Sequence, residues 1–162
     1  MTDVAFLYST AAVSMSLASL AGLVIAFRRT GVWHAHDVFR LRQIAEWGFA
    51  NVLLALLSIP AAAAFGSETA ALRFVGVVAL LYVVGNLLVL ARRTRGMATL
   101  RAVIPITPLV VLIDIALVML ATATAILASI TPWEVTLLVL VLRPMLAFTF
   151  VLASIGREEE AS

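Results

Sequence analysis

Residues 72–91 read LRFVGVVALLYVVGNLLVLA, and this run decides the fold class. A single charge, Arg73, stands among residues that are otherwise almost all apolar. A helix needs about 20 predominantly apolar residues to cross roughly 30 Å of hydrocarbon. The run also lacks the turn-separated alternation of outer-membrane barrel strands, and it therefore predicts a transmembrane helix.

Similar runs on both sides predict five spans in all, at residues 4–27, 47–65, 72–91, 106–130 and 133–155. Apolar residues make up 64% of the 162-residue chain, against roughly 45 to 50% in soluble domains. We therefore predict an all-α polytopic transmembrane helix bundle that forms one domain over residues 1–162. Arg143 and Pro144 interrupt the last run. This leaves an alternative of four spans followed by a re-entrant or interfacial C-terminal segment.

Composition excludes much enzyme chemistry. All 11 basic residues are Arg, so Lys-based Schiff bases and P-loops are excluded, and the absence of Cys excludes disulfides and thiolate sites. The chain also lacks a rhomboid-like Gly-x-Ser-Gly motif, a paired-Asp motif and enough His for a di-iron site. We expect no enzymatic activity and no cofactor.

Arginine-rich segments follow the first and third predicted spans. Such segments lie on the cytoplasmic side and contact anionic lipid head groups. The basic isoelectric point of about 9.9 is therefore a topology signal and does not indicate nucleic acid. We predict an external N-terminus, a cytoplasmic C-terminus, and head-group contacts by Arg28, Arg29, Arg40, Arg42, Arg92, Arg93, Arg95 and Arg101.

Two opposite charges, Asp114 and Arg143, lie deep within the fourth and fifth predicted spans. At about 1.5 Å per residue, Arg143 falls near the midplane and Asp114 about 6 Å to its cytoplasmic side. An unpaired charge there costs about 3 to more than 10 kcal/mol, so we expect the two to pair. Side chains on antiparallel neighbours lean apart, so a bridging water or polar group is also expected. Pro144 removes the helical partner of the Leu140 carbonyl, which the Arg143 guanidinium can satisfy.

The intramembrane pair has two interpretations. It is either a structural pin that fixes helix register, or part of an aqueous pathway or polar ligand site. Asn51, Tyr82 and Asn86 either extend such a pathway or hydrogen-bond helices together, the more usual role of these side chains. Thr122 and Thr124 are expected to bond to their own helix.

Prolines and small residues predict details of the helices. Pro60 and Pro144 predict kinks, and Pro105 and Pro108 predict a helix start. Small residues recur every four positions, which allows close helix packing within the chain or between copies. These stripes are Ser14, Ala18 and Gly22, and Ala121, Ala125 and Ser129.

The loop after the first span contains His34, His36 and Asp37. Two imidazoles without a firm third ligand are weak metal candidates, so we expect no metal site. Asp37 is expected to be a helix N-cap. Trp33, Trp47 and Trp133 lie near span ends, as interfacial anchors do.

The segments AGLVIAFRRTG (21–31) and HDVFRLRQIAEWGFANVLLALL (36–57) resemble small bacterial multi-pass membrane proteins that have no assigned activity. The resemblance implies a bacterial inner membrane and supplies no catalytic residues. We expect an oligomeric channel or transporter-like protein that uses the Asp114–Arg143 pair. The alternative is a non-catalytic accessory or scaffold subunit. Expected partners are the lipid bilayer and a second copy or another membrane subunit.

Overall fold

The computed structural model describes residues 3–27, 35–95 and 108–159, and all regular structure in those ranges is helical. Five helices are long and apolar enough to cross a membrane. The chain is therefore an all-α, multi-pass membrane protein, as predicted. In chain order the helices are α1 (Val4–Phe27), α2 (Ala35–Phe65), α3 (Glu68–Arg95), α4 (Pro108–Leu127) and α5 (Ile130–Glu159).

The fifth helix is continuous. α5 runs through Pro144 without interruption, so the alternative of a broken, re-entrant C-terminal segment is wrong. A membrane helix tolerates an internal proline because neighbouring groups and local adjustments satisfy the freed backbone carbonyls. α2 likewise continues through Pro60. The kinks at the two prolines stay predictions.

Two helix starts show recognised capping features, and one predicted cap is wrong. The Asp3 Oδ1 atom accepts a 2.9 Å hydrogen bond from the Ala5 amide at the start of α1, and α4 begins at Pro108 as predicted. The N-cap prediction for Asp37 is wrong, because α2 already begins at Ala35. A carboxylate also suits the first turn of a helix, so residue type alone did not distinguish the two positions.

Two tight turns join neighbouring helices and make them antiparallel. Gly66 lies between α2 and α3 with φ +58°, and Ala128 lies between α4 and α5 with φ +50°. Both residues are in the left-handed region that often terminates a helix, where glycine is the usual residue. The Ala128 amide still donates a 2.9 Å hydrogen bond to the Thr124 carbonyl.

Four of the helices form a ring. α2 packs against α3, α3 against α4, α4 against α5, and α5 against α2. α1 lies outside the ring, where it packs mainly on α2 and also touches α5. The core is formed by apolar side chains from all five helices, among them Leu7, Leu54, Val75, Leu117 and Leu137.

Two glycines allow close helix contacts. A Cβ atom added to Gly76 would lie 2.6 Å from the Ala125 amide nitrogen, so α3 and α4 approach backbone to backbone. A Cβ added to Gly48 would lie 3.0 Å from the Ser14 carbonyl oxygen and 3.1 Å from the Ala18 Cβ. Parts of both small-residue stripes therefore pack within the chain. Gly22 does not, since no neighbour lies within 4 Å of its added Cβ.

The outer surface of the bundle is strongly apolar. Large aliphatic side chains stand exposed on it, including Leu53, Leu81, Leu112, Met119 and Ile126, each at least 62% exposed. Soluble monomers rarely show large contiguous apolar patches. Surrounding lipid chains remove that cost, which is consistent with the five membrane-crossing helices.

Candidate functional site

Asp114 and Arg143 form a direct, bidentate ion pair between α4 and α5. The Arg143 Nε atom donates to Asp114 Oδ1 at 2.6 Å, and Nη2 donates to Oδ2 at 3.2 Å. Both residues are only 9% exposed. Paired parallel hydrogen bonds between guanidinium and carboxylate are the strongest common form of this interaction. Each charge thus satisfies the other.

The other two ring helices complete the surroundings of this pair. The Arg143 Cζ atom lies 4.0 Å from the centre of the Trp47 ring on α2. Tyr82 on α3 meets Trp47 edge to face, with ring centres 5.5 Å apart. We call Trp47, Tyr82, Asp114 and Arg143 the polar cluster; each ring helix contributes one member. The cluster couples all four helices at one level.

Two expectations about the ion pair are wrong. The predicted spans put the charges at different depths and require a bridging group, whereas the two side chains touch directly. The spans Leu109–Leu127 and Ile130–Thr149 put Asp114 about 6 Å and Arg143 about 5 Å from their centres, on the same side. The predicted offset arose because the predicted fifth span extends beyond Thr149.

The predicted bond from Arg143 to the Leu140 carbonyl is also not formed. Within the described part of the chain, the hydrogen bonds of the guanidinium run to Asp114. An ionised carboxylate is a stronger acceptor than a neutral carbonyl, which accounts for this choice.

Tyr82 and Asn86 connect α3 to α2. The Tyr82 hydroxyl donates to the Glu46 carbonyl at 3.3 Å, and Asn86 Nδ2 donates to that hydroxyl at 3.3 Å. Among the described residues, neither hydrogen-bonds to the ion pair. The contacts correspond to the helix-linking role.

Asn51 joins three helices. Its Nδ2 atom donates to Ser14 Oγ on α1 at 2.8 Å and to the Leu137 carbonyl on α5 at 3.3 Å. Asn51 is fully buried, and its Oδ1 atom has no hydrogen-bond partner in the described structure. A buried acceptor without a partner is unusual in a native protein. Asn51 therefore links helices and also presents one unsatisfied polar atom inside the bundle.

The interfacial-anchor prediction is wrong for Trp47 and Trp133, which are 1% and 0% exposed. Trp47 Nε1 donates to Gln43 Oε1 at 3.1 Å, and Trp133 Nε1 donates to Ser58 Oγ at 3.1 Å. Position near a span end does not reveal which way an indole faces. The roles of Gln43 and Ser58 were missed, because no signal in the sequence marks either as an indole partner. Trp33 lies outside the described residues.

The hydroxyl groups of α4 behave as predicted. Thr122 Oγ1 donates to the Val118 carbonyl at 2.7 Å, and Thr124 Oγ1 donates to the Leu120 carbonyl at 2.9 Å. Such bonds to the same helix satisfy hydroxyls in a region without water.

Only part of the arginine and histidine predictions falls on described side chains. Arg42 pairs with Glu46 at 2.6 Å, and the side chain of Arg92 is exposed. Neither observation tests lipid contact. The others, namely Arg28, Arg29, Arg40, Arg93, Arg95, Arg101, His34 and His36, lie outside the described side chains. Among the described residues, no group of three or more His, Asp or Glu side chains could hold a metal ion.

A cleft of about 510 Å³ lies beside the α2–α3 turn, at the end of the bundle away from the polar cluster. Its walls come from the beginning of α1, the last turns of α2 and the first turns of α3. No member of the polar cluster lines it.

No protein-family model matches the chain, and searches of the curated proteins and of the solved structures return no match. The resemblance of residues 21–57 therefore rests on those residues alone.

Proposed function

We propose that the protein is a non-catalytic integral membrane subunit that acts by associating with another membrane helix. One observation carries this proposal. Asp114 and Arg143, the deepest pair of opposite charges among the described residues, bind each other through two hydrogen bonds. A carboxylate and a guanidinium held in this way neutralise each other, so neither is an unpaired charge offered to a substrate. The pair then serves as a structural pin for the ring of helices.

The outward face of α1 is the surface that we assign to the partner. Its exposed residues recur at alternating steps of four and three, which places them on one face. Small side chains let membrane helices approach closely, and this spacing suits left-handed helix packing. The face opposes the side that packs on α2, and we assign it to a second copy of the chain. It consists of Ala5, Ser9, Ala12, Ser16, Ser19 and Leu23.

Cysteine cross-linking tests this assignment directly, since the chain has no native Cys. Ser16→Cys in the native membrane should give a cross-linked dimer under mild oxidation. Leu81→Cys, on the exposed surface of α3, is the matched control and should stay monomeric. Equal dimer yields from the two variants would show random collisions and would refute the α1 interface. A stoichiometric cross-link from Ser16→Cys to a different protein would show that the partner is another subunit and not a second copy of the chain.

Transport is the second candidate, and Asn51 favours it. Its unsatisfied Oδ1 atom lies about 3 Å along the helix axis from the centre of the span Leu41–Phe65. A free acceptor at that depth suits a water molecule or a hydrated ion. Purified protein in liposomes should then conduct protons or monovalent ions faster than empty vesicles, and Asn51→Leu should abolish the difference. If the wild-type flux equals that of empty vesicles, transport is refuted and Asn51 keeps only its helix-linking role.

We further propose a bacterial inner-membrane location, with an external N-terminus and a cytoplasmic C-terminus. An odd number of spanning helices puts the two termini on opposite sides. The arginine-rich segments 28–42 and 92–101 supply the orientation, because positive loops are retained in the cytoplasm.

A further inference from the structure

The cleft beside the α2–α3 turn has the features of a lipid site. It measures about 510 Å³, within the usual range of roughly 300 to 1,000 Å³ for small-molecule sites. Apart from Ser58, Ser67 and Glu68, its lining residues are apolar. Its walls belong to three of the helices that are long and apolar enough to cross a membrane.

The length of the cleft limits what it can hold. On α2 its lining residues run from Ser58 to Ala63, and on α3 from Glu68 to Val75. These segments are about 8 Å and 10 Å long at 1.5 Å per residue. Half of the hydrocarbon core is about 15 Å thick, so the cleft is confined to one leaflet. A partner transmembrane helix needs a groove that continues across the membrane, whereas one acyl chain does not.

The polar groups of the cleft are arranged as an amphiphile requires. Ser67 and Glu68 lie at the outer rim, beside the α2–α3 turn, while Leu72 and Val75 lie deeper along α3. Ser58, at the deep end on α2, is already bonded: its hydroxyl donates to the Leu54 carbonyl and accepts from Trp133 Nε1. The deep end therefore offers an apolar chain no unsatisfied hydroxyl, and the carboxylate of Glu68 lies at the rim.

We infer that this cleft binds one acyl chain of a membrane phospholipid whose head group rests at the Ser67–Glu68 rim. This inference does not depend on the function proposed above, because it concerns a different part of the bundle.

Native mass spectrometry of the detergent-purified full chain tests the inference. The wild type, extracted from vesicles of phosphatidylethanolamine and phosphatidylglycerol, should retain one phospholipid molecule. Ala63→Phe places a ring in the cleft and should reduce retention by roughly tenfold, which corresponds to the loss of about two methylene contacts. Ala64→Phe is the matched control, since Ala64 is also exposed but does not line the cleft, and it should retain the lipid.

Photocross-linking covers the case in which Ala63→Phe does not fold. A phosphatidylethanolamine with a diazirine in its acyl chain should label the wild type at residues 58–63 and 71–75 above the other lipid-facing surfaces. Even labelling around the bundle, or equal lipid retention by the Ala63 and Ala64 variants, would overturn the inference.

Discussion

At the scale of single residues, Asp114 and Arg143 each offset the free-energy cost of burying the other. Removing two charges from water costs several kcal/mol per ion, and only good geometry with further contacts offsets that cost. Here the offset comes from two hydrogen bonds and from the Trp47 ring under the guanidinium. A cation over an aromatic face contributes about 2 kcal/mol when desolvated. The arrangement favours a fixed pair over a mobile carrier of charge.

Neutralising one partner should therefore destabilise the bundle strongly. In Asp114→Asn the guanidinium loses its counter-charge, and in Arg143→Gln the carboxylate does. Breaking a buried pair in this way costs about 3 to 5 kcal/mol, which should appear as a large fall in the thermal unfolding temperature in detergent.

The double variant Asp114→Asn/Arg143→Gln is the control, because it leaves no buried charge without a partner. We expect it to recover much of the lost stability, with a coupling free energy of about 1 to 3 kcal/mol. Single variants as stable as the wild type would contradict the pin and would indicate that water reaches the two charges.

Backbone conformation supplies a second prediction at this scale. Ala128 adopts φ +50° in the α4–α5 turn, where a side chain costs roughly 1 to 2 kcal/mol. Ala128→Gly relieves this cost at the expense of about 0.5 to 1 kcal/mol of additional unfolded-state entropy, so a small gain in stability is expected. Gly66→Ala makes the reverse change at φ +58° and should lose about 1 kcal/mol. Thermal unfolding of both variants beside the wild type is the measurement, and shifts of the same sign would contradict the argument.

At the scale of helices, backbone approach decides which elements become neighbours. α3 and α4 meet at Gly76 and Ala125, and α1 meets α2 at Ser14, Ala18 and Gly48. Apolar packing is not driven by water within a membrane, so close contact between small residues contributes much of the association.

Glycine-to-alanine variants measure these contacts. Gly76→Ala forces a Cβ within 2.6 Å of backbone nitrogen, which cannot move aside, so a loss of about 1 to 3 kcal/mol is expected. Gly48→Ala should cost less, because its contacts of 3.0 and 3.1 Å need only a small shift. Gly85→Ala, in the same helix as Gly76 but without a neighbour within 4 Å of the added Cβ, should be neutral or slightly stabilising. A loss at Gly85 equal to that at Gly76 would refute the close-approach argument.

The number of helices and the ion pair were predictable from the sequence because each has a strong local signal. Long apolar runs require helices in lipid, and two opposite charges within neighbouring spans have few other partners. The position of Trp47 beneath Arg143 and the approach of Gly76 to Ala125 depend on which helices are adjacent and how each is rotated. Apolar side chains cover all sides of each spanning helix, so hydrophobic periodicity does not indicate which side faces a neighbouring helix.

At the scale of the whole molecule, two short turns and two arginine-rich segments define opposite ends. Gly66–Ser67 and Ala128–Ser129 join helices at one end, while residues 28–34 and 96–107 connect helices at the other. Five crossings then place the N-terminus with the short turns and the C-terminus with the arginines. The polar cluster lies toward the arginine-rich end and the cleft lies at the end with the short turns. The two features therefore belong to opposite leaflets.

Single-cysteine labelling tests this arrangement without background, since the chain contains no Cys. Ser67→Cys and Ser129→Cys should react with a membrane-impermeant maleimide in intact cells, because the proposed orientation puts both turns outside. Thr30→Cys and Thr99→Cys lie in the arginine-rich segments and should react only after the membrane is opened, since positive loops stay in the cytoplasm. Labelling of Thr30→Cys and Thr99→Cys in intact cells, with Ser67→Cys and Ser129→Cys protected, would reverse the proposed orientation but keep five spans. Labelling of Ser67 and Ser129 from opposite sides would contradict the five-span topology itself, because an even number of crossings by α3 and α4 requires the two turns to share one side.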